Sequence, residues 1–97
     1  MPRPTVLSEQ ELSIALEELP GWAVNGDTLV KFTQAADFTT AIDWVVAIAE
    51  IAEQMDHHPD IDIRYRTVTW RLSTHSVGGI TDLDIRLARE IDQLVGG

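Results

Sequence analysis

Apolar positions along the chain alternate between a helical and a strand-like period, and turn residues mark each change. Leu12, Ala15, Leu16 and Leu19 recur at helical spacing, and Pro20-Gly21 closes that segment. Ahead of them Ser8-Glu9-Gln10-Glu11 reads as a capping box, with Leu7 and Leu12 placed as a hydrophobic staple. Trp22 to Val24 and Thr28 to Phe32 then flank Asn25-Gly26-Asp27, where Asn and Gly accept positive φ, which predicts a hairpin.

Asp37 is the expected cap of a long second helix running through Phe38, Ala41, Ile42, Val45, Ala49 and Ala52 and ending near Asp56. Trp44, Val46, Ile48 and Ile51 lie off that stripe. So wide an apolar arc calls for cover on more than one side, and a sheet plus a subunit contact would supply it. Pro59 disfavours α conformation at His58 and stops the helix at or before His57-His58. Ile61, Ile63 and Tyr65 alternate with Asp62 and Arg64. After a bend near Arg66, Val68, Trp70 and Leu72 alternate with Thr69, Arg71 and Ser73, so both runs read as half-buried strands. Gly78-Gly79 breaks the chain. Thr81 to Asp84 repeats the capping-box pattern with Ile80 and Ile85 as staple, and Ile85, Ala88, Ile91 and Leu94 carry the last helix. The order α-β-β-α-β-β-α predicts an α+β two-layer sandwich, a four-stranded antiparallel sheet with three helices on one face.

Composition narrows the function. Ninety-seven residues, 44% of them hydrophobic, make a single domain over 1–97 with one core. A formal charge of −9 argues against nucleic acid or an anionic membrane as partner, because phosphate binding needs clustered cations. Arg64, Arg66 and Arg71 do group locally with Tyr65 and Trp70, most simply as solvent-facing strand positions, with a contact for an anionic or aromatic ligand as the alternative. Without cysteine there is no disulfide, thiolate metal site or cysteine nucleophile. Met1 to Val6 has no signal-peptide pattern, and the apolar stretch Trp44 to Ala52 is short and broken by Glu50. A soluble cytoplasmic protein is expected.

The three histidines, His57, His58 and His75, all fall at boundaries between elements. Imidazole changes charge near neutral pH, which suits it to proton transfer. Each residue also has a plainer reading. Either member of the pair could be a helix C-cap, Asp84 fits N3 of a capping box, Glu53 could form an intrahelical pair with His57, and Trp22 and Trp70 could be core. A zinc set of the three imidazoles with Glu53 or Asp84 is a rival, although adjacent histidines splay apart and no His-x3-His pair exists.

Taken together the positions say more. Glu53, three residues, His57-His58-Pro59, five residues, Tyr65, nine residues, His75, eight residues and Asp84 form a spaced pattern. It resembles that of the pterin-4a-carbinolamine dehydratase family, as do Leu19-Pro20-Gly21-Trp22 and Ser73-Thr74-His75. The resemblance covers nearly the whole chain, with no departure at the motif positions. It implies the sandwich already inferred, a homodimer or homotetramer, and no metal or organic cofactor. The implied reaction is dehydration of 4a-hydroxytetrahydropterin, made by aromatic amino acid hydroxylases, to quinonoid dihydropterin, as in tetrahydrobiopterin recycling. On this resemblance His57 and His75 would transfer protons, His58 would bind and orient the pterin beside Pro59, Asp84 would support the site, and Trp22 would line it. The same resemblance allows an interaction protein, a dimerisation partner of transcription factors, in which catalysis is secondary.

Overall fold

The computed structural model describes residues 4–96, so the first half of the Met1–Val6 segment and the last residue of the expected domain lie outside it. Each helix begins where its cap predicts. Helix α1, Glu9–Leu16, has the Ser8–Glu11 box: the Ser8 N–H donates to Glu11 Oε1 (2.9 Å) and the Glu11 N–H to Ser8 Oγ (3.1 Å). Leu7 and Leu12, the expected staple, pack half-buried on the core. Helix α2, Phe38–Met55, starts with the Thr40 N–H donating to Asp37 Oδ1 (2.8 Å). Helix α3, Asp82–Leu94, starts with the Thr81–Asp84 box, and its staple partners Ile80 and Ile85 are both buried.

Between the helices run β1 (Ala23–Asn25), β2 (Thr28–Gln34), β3 (Asp60–Arg64) and β4 (Thr67–Leu72), in one antiparallel sheet of order β1-β2-β4-β3. The predicted sandwich is therefore the observed one. Helix α2 carries the chain from β2 to the outer strand β3, and the β3–β4 hairpin then returns β4 to the centre. Registers Leu29↔Leu72, Lys31↔Trp70 and Thr33↔Val68, with Ile61↔Trp70 and Ile63↔Val68, put the apolar side chains of three strands on one face. The helices cover that face, and Trp70, Leu72, Ile48, Leu87 and Ile91 are wholly buried there. Trp70 satisfies its indole at depth: its Nε1–H donates to Thr33 Oγ1 (2.9 Å), whose hydroxyl donates to the Val68 carbonyl (2.9 Å).

Two local expectations are corrected. Tyr65 is not the third apolar position of a strand. Arg64 pairs with Thr67, so Tyr65 and Arg66 form a two-residue turn, with Tyr65 at φ 54° and 70% exposed. Closing the hairpin this tightly outweighs the alternation that Tyr65 continued. Nor does Arg66 face solvent from a strand. Its Nη1 donates to the Ala35 carbonyl (2.9 Å) while the Ala35 N–H donates to the Arg66 carbonyl (2.8 Å), which ties the turn to the end of β2.

Candidate active site

The end of α2 determines where the histidine pair points. Asp56 takes the left-handed conformation (φ 51°), the Asp56 N–H donates to the Glu53 carbonyl (3.2 Å), and the His57 N–H donates to the Ala52 carbonyl (3.0 Å). This is a Schellman-type reversal, closed here by Asp where glycine is commoner. It turns His57 inward, where the side chain is buried, and leaves the next residue, His58, outside.

His57 meets α3 at its first turn. Its Nε2–H donates to Asp84 Oδ1 (2.6 Å), and Asp84 is fully buried. The other carboxylate oxygen, Oδ2, accepts from the Thr81 N–H (2.9 Å) and the Thr74 hydroxyl (2.8 Å). Asp84 therefore caps its helix with one oxygen and holds an imidazole with the other. With Nε2 committed to the carboxylate, a neutral His57 keeps its lone pair on Nδ1. Among the described residues no buried side-chain nitrogen or oxygen lacks a partner, so this network is closed.

His75 reaches the neighbourhood of α3 through its chain neighbour, not through its own ring. It lies exposed in the turn after β4, which is closed by a bridge between Thr74 and Gly79. The residue before it is the same Thr74 that donates to Asp84. The turn bearing His75 and the buried His57 thus share one carboxylate as their anchor. His58 is about half exposed, and its Nε2–H donates to the Glu53 carboxylate, one turn back on α2. Glu53 therefore partners His58, not His57 as the spacing suggested. Pro59, half-buried, leads the chain from the pair into β3.

Trp22 stands apart from this cluster. Its indole donates to Asp92 Oδ1 (2.9 Å), which also takes Lys31 Nζ (2.8 Å), and Asp92 lies eight residues beyond Asp84 on α3. At ~1.5 Å of rise per residue that is about 12 Å along the helix. A groove of about 490 Å³ between α2 and α3 is lined by Ile51, Gln54, Met55, Arg86 and Glu90 and contains no histidine. His57 and Asp84 meet where the end of α2 faces the start of α3, and neither lines that groove. Among the described residues, no three His, Asp or Glu side chains are gathered as a metal-ligand set.

Residues 5–94 match the model of the family described as pterin 4 alpha carbinolamine dehydratase. The chain belongs to that family. It is 53% identical over 89 residues to a Nocardia farcinica protein provisionally named pterin-4-alpha-carbinolamine dehydratase, covering 92% of this chain and 94% of the relative. A Mycobacteroides abscessus protein with the same provisional name is 53% identical over 91 residues, 94% of this chain and 97% of its own. A solved structure from Brucella melitensis, described as a transcriptional coactivator/pterin dehydratase, superposes with a TM-score of 0.91 at 37% identity, covering 95% of this chain and 100% of that one. A pterin dehydratase-like RuBisCO assembly factor of the alpha-carboxysome, 19% identical with a TM-score of 0.64 over 78% of this chain and 88% of that one, shares the fold.

Within this carbinolamine dehydratase fold, sequence reasoning missed the parts played by Thr74 and Thr81. Thr74 precedes a candidate histidine and Thr81 is a helix cap, so each had a local reading that hid its partner. No helix among the described residues is long and apolar enough to cross a membrane.

Proposed function

We propose that this protein is a hydro-lyase that dehydrates 4a-hydroxytetrahydropterin to quinonoid dihydropterin by histidine general acid–base catalysis. The C4a–O bond breaks and the departing hydroxide takes a proton to leave as water. The proton on N5 goes to a base, and the N5 electrons form the C4a=N5 double bond. One acid and one base on the same small ring are needed, and imidazoles serve both roles near neutral pH. The observation that carries this reading is the buried His57–Asp84 contact, which shares its carboxylate with the residue next to His75. His57 and His75 are proposed to move the two protons, with His58 holding the pterin beside Pro59. Trp22, fastened to Asp92, is proposed to line the pterin site.

Stopped-flow loss of the carbinolamine tests this reading. General acid–base help is worth roughly 10²–10⁴-fold, about 3–5 kcal/mol of barrier. Wild-type protein is expected to accelerate the loss, and His57→Ala and His75→Ala each to remove most of that acceleration while circular dichroism stays native. Wild-type rates from both variants would overturn the assignment.

We further propose a homo-oligomer, cytoplasmic, receiving its substrate from a pterin-dependent aromatic amino acid hydroxylase. An interaction role is the second reading. It is favoured by the coactivator description of the Brucella melitensis relative and by the exposure of Phe38 and Val46 on α2. A folded wild-type protein with no effect on the carbinolamine would select it.

A further inference from the structure

The hydroxyl protons in the buried network can be placed one by one. Thr74 Oγ1 lies 2.8 Å from Asp84 Oδ2 and 2.7 Å from Thr81 Oγ1. An ionised carboxylate only accepts, so the single Thr74 proton points at Asp84. Thr81 must then give its own proton to the Thr74 oxygen, and its oxygen accepts from the Leu83 N–H (3.2 Å). The chain of donors therefore runs one way, from the first turn of α3 through Thr81 and Thr74 to Asp84. Thr74, Thr81 and Asp84 are all buried, so water does not compete with it. The backbone of Thr74 has a separate task. Its carbonyl accepts from the N–H groups of Val77 (3.2 Å) and Gly78 (3.0 Å), and its N–H donates to the Gly79 carbonyl (2.9 Å). Those bonds define the turn that carries His75.

Building on the dehydratase reading, we infer that Thr74 is the positioning residue that sets His57 and His75 relative to each other. Its hydroxyl fixes the plane of the Asp84 carboxylate, and so the His57 ring. Its main chain seats the His75 turn. With the hydroxyl gone, Oδ2 keeps one donor, the Thr81 N–H, and the carboxylate that aims the His57 ring on Oδ1 is tied to the rest of the fold by that single bond. A small loss of aim between two proton-transfer groups lowers the rate of the chemical step without weakening substrate binding equally.

Imidazole ¹⁵N–¹H spectra and kinetics on the full-length protein test this together. In the wild type His57 is expected as the Nε2–H tautomer with a slowly exchanging proton; an Nδ1–H tautomer would overturn the inference without any variant. Thr74→Val is expected to broaden that proton by exchange and to lower kcat about tenfold with KM within about twofold, and Thr74→Ser to restore both. A Thr74→Val protein with the wild-type imidazole signal and wild-type kcat overturns the inference. Should the imidazole signal depend on Thr74 while the wild type shows no dehydratase activity, the dehydratase reading fails and the control of His57 by Thr74 stands.

Discussion

Asp84 shows most directly how one side chain joins a helix cap to the proposed acid–base pair. It accepts from His57, Thr74 and the Thr81 backbone while wholly buried. Asp84→Ala would leave the His57 Nε2–H and the Thr81 N–H without their acceptor. Leaving a buried donor without its partner costs about 1–3 kcal/mol. Urea unfolding of Asp84→Ala is expected to show a loss of that order, with dehydratase activity falling too. A loss under about 1 kcal/mol would mean that the network does not hold the end of α2. Half of this role was legible: the Thr81–Asp84 spacing announces the capping box. The other half was not, because His57 lies 27 residues away and meets Asp84 only through the packing of α2 against α3.

At the scale of elements, local signals predicted well where they were chemical. Ser8, Asp37 and Thr81 each cap the helix they were expected to cap. The Asp37 cap also has a pH signature. Hydrogen bonds from Thr40, its side chain first and its backbone N–H second, hold the Asp37 carboxyl below the ordinary Asp range. A depressed folded-state value means that the cap's charge-linked stability is fully present above the unfolded Asp value, about pH 4, and is lost as the pH falls through the lower folded value. Asp37→Asn keeps a capping oxygen but no charge. Acid unfolding followed by circular dichroism should show its stability falling less steeply than that of the wild type below about pH 4. Parallel curves would contradict the cap's charged contribution. Tyr65 shows where period alone misleads, since its alternation with Ile61 and Ile63 continued into a turn. Pairing of Arg64 with Thr67 decides that position, and register is a property of two strands together.

For the whole molecule, the class of fold was readable from element order, whereas the strand order β1-β2-β4-β3 was not. Only tertiary packing puts β4 between β2 and β3 and so delivers the His75 turn to α3. The wide apolar arc of α2 behaves as its pattern suggests on one side, burying Ala41, Ile48 and Ala52 against the rest of the fold. Val46, 55% exposed, and Phe38, 49% exposed, remain outside. If a second copy covers them, light scattering at micromolar concentration will find an oligomer, and Val46→Asp will shift it toward monomer without unfolding it. An unchanged assembly in that variant would place the subunit contact elsewhere.

Dehydration as proposed requires three imidazoles to share one pterin. Titration of the protein with a stable dihydropterin, read in the ring signals of His57, His58 and His75, tests that claim most directly. All three are expected to move together and to saturate at one ligand concentration. Movement of one ring alone, or of none at saturating ligand, would contradict it.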